Sequence, residues 1–152
     1  MDGDKYTLTW QTYSDHLRGM MREMMTSGDF ADVTLVCDDR KSIRAHRNIL
    51  SACSLVFKDI LQLPTQSNHP VIYLMGIQFS EIESILQFMY LGEAKFYEER
   101  MNEFLAVAKS LSLVYEGPVC SISHHQTKDS MVQLTAKSTS VSRQSTQDFI
   151  CL

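Results

Sequence analysis

Two hydrophobic periods alternate along this chain, and each change of period marks where an element begins or ends. Val33, Leu35 and Cys37 alternate with Asp32, Thr34 and Val36, the period of a strand with one buried face. A polar break at residues 38–41 separates this run from a second β-prone run that passes Ile43 and Ala45. The spacing then turns helical: Ile49, Leu50, Cys53, Val56, Phe57, Ile60 and Leu61 fall on one face of a predicted helix. Upstream, residues 6–10 alternate Tyr6, Leu8 and Trp10 with threonines and predict a short strand. Leu17, Met20, Met21, Met24 and Met25 follow at i, i+3, i+4, i+7 and i+8, a helical stripe that Gly28 ends.

Downstream, Pro64 and the polar residues after it predict a loop. Residues 70–75 predict a third strand, with Pro70 at its first position, where a missing N–H is tolerated. Ser80 and Glu83 have the spacing of a capping box. The helix they open carries Ile82, Ile85, Leu86 and Met89 on one face and closes at Gly92. Residues 94–97 read as a short edge strand, and Met101, Phe104, Leu105, Ala108 and Leu111 mark a last helix. After Gly117 and Pro118 the periods stop. Ser, Thr and Gln dominate, and such a segment buries too little apolar surface to offset its ordering entropy. The expected organisation is a domain over residues 5–117 and a flexible tail or linker over 118–152.

Composition narrows the function. The 152 residues carry a formal charge of −4 with no basic run, so this segment lacks the clustered Lys and Arg that grip phosphate backbones. No apolar stretch has the length of a membrane span, and the acidic start at residues 1–5 is unlike a signal peptide. Four cysteines without paired spacing, and the lack of an Asn-x-Ser/Thr acceptor, fit a reducing, intracellular setting. Cys120, His124 and His125 lie in the polar tail without a second ligand pair at zinc spacing. Cys53 and His46 sit in a block patterned as packed core, with no acid or oxyanion device beside them. With no Gly-rich phosphate loop either, the sequence offers no catalytic site and calls for no cofactor or metal.

Several blocks carry a family resemblance. Asp32-Val33-Thr34-Leu35, followed by Ala45-His46-Arg47-Asn48-Ile49-Leu50-Ser51-Ala52-Cys53-Ser54, resembles the signature of the BTB/POZ domain. Leu86-Gln87-Phe88-Met89-Tyr90-Leu91-Gly92-Glu93 and Leu105-Ala106-Val107-Ala108-Lys109-Ser110-Leu111 are similar to later patterns of that family. Leu8-Thr9-Trp10-Gln11-Thr12-Tyr13 is similar to the opening of the Tramtrack/Bric-à-brac subgroup, although Thr9 replaces its usual basic residue. The resemblance covers roughly residues 5–116. It implies an α+β fold, a small sheet flanked by helices, and a module for homodimerisation or higher oligomerisation in a nuclear regulator of transcription or chromatin.

The resemblance also implies site residues. Tyr6, Leu8, Trp10, Leu17, Met20, Met21 and Met24 are expected at a dimer interface, with the N-terminal strand crossing to the partner's sheet. The competing reading seats the methionines in the chain's own core, but five large apolar residues in nine positions cover a wide arc, and methionine suits adaptable contact surfaces. The resemblance implies Asp32 and Arg47 as a charged pair in a groove near that interface. The competing, favoured reading is a structural ion pair that fixes the strand against the helix; either way an acid flanked by apolar residues needs a partner. The partners implied are a second copy, in a dimer or larger ring, other family members and co-regulators. The alternative function is that of substrate adaptor for a cullin-based ubiquitin ligase. The sequence after Ile60 lacks the apolar-x-Glu motif of such adaptors.

Overall fold

A computed structural model describes residues 3–64 and 67–114. Its elements run α1 (Tyr13–Ser27), β1 (Val33–Cys37), β2 (Ser42–Ala45), α2 (Arg47–Cys53), α3 (Leu55–Leu61), β3 (Val71–Leu74), α4 (Phe79–Leu91), a 3-10 turn (Glu98–Arg100) and α5 (Met101–Ser110). The sheet order is β2-β1-β3. β1 pairs antiparallel with β2, with Leu35 opposite Ile43, and parallel with β3, with Leu35 opposite Ile72 and Cys37 opposite Leu74. The β1 alternation places Val33, Leu35 and Cys37 in the core with no exposure. Leu50, Phe57, Ile72, Leu74, Ile82, Ile85, Leu86 and Leu111 close round them. This is the α+β arrangement the sequence predicts.

Four local expectations are corrected. The single helix after β2 is two, because Ser54 takes an extended conformation (φ −139°, ψ 126°). Its hydroxyl accepts the Phe57 N–H at 3.1 Å and donates to the Leu111 carbonyl. Its backbone also lies in an isolated antiparallel bridge with Leu113. These bonds from the C-terminal end of the domain offset the lost helical turn. The start of α4 lies two residues earlier than the Ser80 box: Gln78 is the N-cap, and its N–H donates to the Glu81 carboxylate at 2.6 Å. Ser80 instead receives Arg100 on its hydroxyl at 2.8 Å.

Residues 94–97 form no strand, and neither do residues 6–10. Neither segment has a ladder partner among the described residues, and alternation without a partner strand makes no sheet. In α5 the inward face is Phe104, Val107, Ala108 and Leu111, while Leu105 points out. The tail expected over 118–152, with Cys120, His124 and His125, lies outside the described residues.

Candidate interaction surface

α1 ends where Gly28 adopts the left-handed conformation (φ 68°) and returns its N–H to Met24. The helix is 15 residues long, yet none of them is buried. Its apolar stripe spans roughly 140° of the helix circumference, and the two edges of that arc have different fates. Met25 and Met21, on one edge, pack against the core. Leu17 and Met24, in the middle, are half-buried, and Met20, on the other edge, is 43% exposed. Tyr13, one helical step before Leu17, is 52% exposed and extends the outer edge. Tyr13, Leu17, Met20 and Met24 therefore repeat at four, three and four residues, the spacing of one continuous apolar helix seam. Met21 and Met25 thus belong to the chain's own core, while Tyr13 and Met20 face outward.

The chain enters α1 through an aromatic cluster. Trp10 Nε1 donates to Thr12 Oγ1 at 2.8 Å, and its ring lies 5.5 Å from Tyr13 and 4.9 Å from His16. Before it, Tyr6 and Leu8 stand in solvent. Past the other end of the helix, Phe30 is also exposed and has a positive φ of 59°. Tyr13 and Phe30 are two exposed apolar residues at the ends of this helix that sequence reading missed. Tyr13 was visible as an i, i+4 neighbour of Leu17, whereas Phe30 shows itself only through its backbone conformation.

Asp32 and Arg47 do meet, but the contact is not an ion pair between side chains. Asp32 Oδ1 accepts the Arg47 backbone N–H at 2.8 Å, at the first turn of α2. The Arg47 guanidinium turns instead to the Leu61 carbonyl at 3.1 Å, at the end of α3. The carboxylate thus serves as a helix cap reached from β1. Among the described residues the ion pairs are Lys41 with Asp39 and Arg100 with Glu103.

Burial governs the thiols and Tyr90. The Cys37 thiol is pushed up to about 11, first by burial and then by Asp39 and Glu81. Burial also raises Cys53, whose Sγ donates to the Met89 carbonyl at 3.6 Å. Tyr90 is pushed up to about 12 by burial, with smaller contributions from Asp32 and Cys53, against a lowering bond from the His46 backbone. The His46 ring is engaged by Tyr90 and by the Asp29 carbonyl, so Cys53 and His46 have separate partners. Among the described residues no group of His, Cys, Asp and Glu could hold a metal, and no helix is long and apolar enough to cross a membrane.

Comparison with known proteins gives a consistent picture. Residues 21–128 match the family model described as the BTB/POZ domain. The chain is 33% identical over 112 residues to Protein bric-a-brac 2 of Drosophila melanogaster, a match that covers 74% of this chain and 10% of that protein. It is 33% identical over 109 residues to Longitudinals lacking protein-like of the same organism, covering 72% of this chain and 84% of that protein. The matched region thus spans about a tenth of the length of bric-a-brac 2. Among solved structures, the BTB domain of zebrafish PATZ1 shares the fold with a TM-score of 0.60 at 24% identity, over 72% of this chain and 88% of that one.

Proposed function

Because the chain belongs to the BTB/POZ family, whose domains mediate protein interaction, we propose that it acts as a self-association module of a nuclear regulator of transcription or chromatin. The observation that carries this reading is α1, a long helix with no buried residue, whose seam leaves Tyr13 and Met20 exposed and Leu17 and Met24 only half-buried. A second copy bringing the same seam would close it, since a two-fold interface uses one patch twice. The N-terminal arm supports the same reading. Tyr6 and Leu8 are exposed on a segment that lies in no helix or strand, and residues 93–96 likewise lie in neither. The arm of one protomer laid along that segment of the other would satisfy both. An obligate interface of this kind buries on the order of 2,000 Å² or more. Joining two protomers raises the effective concentration of whatever regions they carry, without new contacts between those regions.

Light scattering over a concentration series tests the proposal. The full chain should have the mass of two or more copies at low micromolar concentration. Deleting residues 1–11 should weaken or shrink the assembly while most helical circular dichroism is retained. An unchanged molar mass in the deletion would retire the arm as part of the interface, and a single-chain mass for the full chain at all concentrations would retire the module.

A further inference from the structure

We propose that Phe30 is an anchor residue of the self-associated form, its ring packing against Trp10 and Tyr13 of the partner subunit. The inference rests on the self-association reading and names a contact within it. Phe30 is 91% exposed and holds φ at 59°, a conformation that a bulky L-residue adopts only when its surroundings impose it. The surroundings here do impose it. Ala31 N–H donates to the Gly28 carbonyl at 3.2 Å, and Asp32 N–H to the Ala45 carbonyl at 3.1 Å. His46 Nε2 lies 2.7 Å from the Asp29 carbonyl, and Arg44 donates to the Ala31 carbonyl at 3.3 Å. Both neighbours of Phe30 are therefore tied to β2 or its end, and the turn so fixed presents the ring to water. A large apolar ring, pre-positioned at the expense of its own backbone, has the properties of a binding anchor.

The same chain carries what such a ring would pack on. Trp10 and Tyr13 make an edge-to-face pair at the opposite end of α1, each more than half exposed. A two-fold axis across the helix seam runs the two copies of α1 antiparallel. Helix dipoles favour that sense, and α1 has no basic side chain in its last turn to offset its terminal carbonyls. In such a pair the end of one helix lies beside the start of the other, so the turn after Ser27 in one copy faces the segment that leads into Tyr13 of its partner. That stretch holds Trp10 and Tyr13. One operation thus covers two exposed aromatic sites on each protomer.

The chain has a single tryptophan, so emission from Trp10 reports on this contact. The full chain is compared with Phe30→Ala and Phe30→Asn by light scattering and by tryptophan emission, both over a dilution series. Asparagine tolerates the left-handed conformation, so that variant retains the turn. The wild type should shift its emission to shorter wavelength as its mass rises above one chain. Both variants should raise the dissociation constant tenfold or more, and their Trp10 emission should stay at longer wavelength even in residual dimer. A Phe30→Asn variant with the wild-type association curve and emission would overturn the contact and leave self-association standing. So would weakened association with wild-type emission in the remaining dimer. A wild type of single-chain mass throughout would overturn both readings.

Discussion

His46 and Tyr90 share one hydroxyl in two bonds: the Tyr90 Oη accepts the His46 backbone N–H at 3.0 Å and lies 2.6 Å from His46 Nδ1. On its other side the ring reaches the Asp29 carbonyl, an acceptor only, at 2.7 Å. In the neutral ring this places the proton on Nε2, so the Tyr90 O–H donates to Nδ1. The pair links the entrance of α2, the end of α4 and the turn that carries Phe30.

Removing that hydroxyl should therefore cost more than one exposed hydrogen bond. Tyr90→Phe keeps the ring but leaves a buried N–H and a buried ring nitrogen without partners, a loss of about 1–3 kcal/mol. Chemical denaturation should show a lower midpoint at an unchanged slope. An unaltered midpoint would mean that water replaces the hydroxyl.

Tyr90 also sets an alkaline limit. Its pKa is raised in the folded state from an ordinary value of 10 to about 12. The folded protein thus binds this proton more tightly than the unfolded chain does. The corresponding stability is complete below about pH 10 and is lost as pH rises towards 12. Cys37, raised to about 11, adds a loss in the same direction that begins nearer pH 9. Urea midpoints between pH 8 and 11 should fall with pH, and the fall should be shallower in Tyr90→Phe. Equal slopes in both proteins would exclude Tyr90 as a source.

At Asp32, geometry separates a cap from an ion pair. Asp32→Ala leaves the first N–H of α2 unpartnered and should cost about 0.5–2 kcal/mol. Asp32→Asn retains an acceptor oxygen and should cost less. Because the Arg47 guanidinium bonds Leu61, a double-mutant cycle of Asp32→Ala with Arg47→Ala should give a coupling of only about 0–1 kcal/mol. Coupling of several kcal/mol would restore the buried ion pair.

The two edges of the α1 stripe should respond differently to charge. Met25→Glu sets a carboxylate against the core and should lower stability by roughly 2 kcal/mol or more. Met20→Glu alters a side chain already 43% exposed and should retain the helical circular dichroism while reducing molar mass in light scattering. Unfolding of both variants to the same extent would show that the stripe does not divide.

Gly19 sits inside α1, where a Cβ would meet nothing within 4 Å. It lies nearly opposite Leu17 on the helical wheel, away from the seam. Gly19→Ala should stabilise the protein by up to about 1 kcal/mol by restricting the unfolded chain and favouring helix. A lower thermal midpoint would reveal a surface packed closely over this face.

The sequence by itself determined the elements that repeat a local period. β1 buries the alternating Val33, Leu35 and Cys37, and α4 buries Ile82, Ile85 and Leu86, because each backbone geometry sends side chains to one face at its own interval. It also carried the motifs by which the family was recognised. Periodicity states that a face is apolar but not what covers it. Thus the stripe on α1 was legible, while its division between Met25, turned to the core, and Met20, turned to water, was not. The alternation of residues 6–10 was legible too, but a strand needs a partner, and none lies within reach among the described residues. Only the tertiary structure decided the partners distant in sequence. Ser54 breaks a helical run because Leu111, 57 residues later, receives its hydroxyl, and His46 finds Tyr90 across 44 residues. Those bonds depend on how elements pack in space, and local spacing carries no record of it.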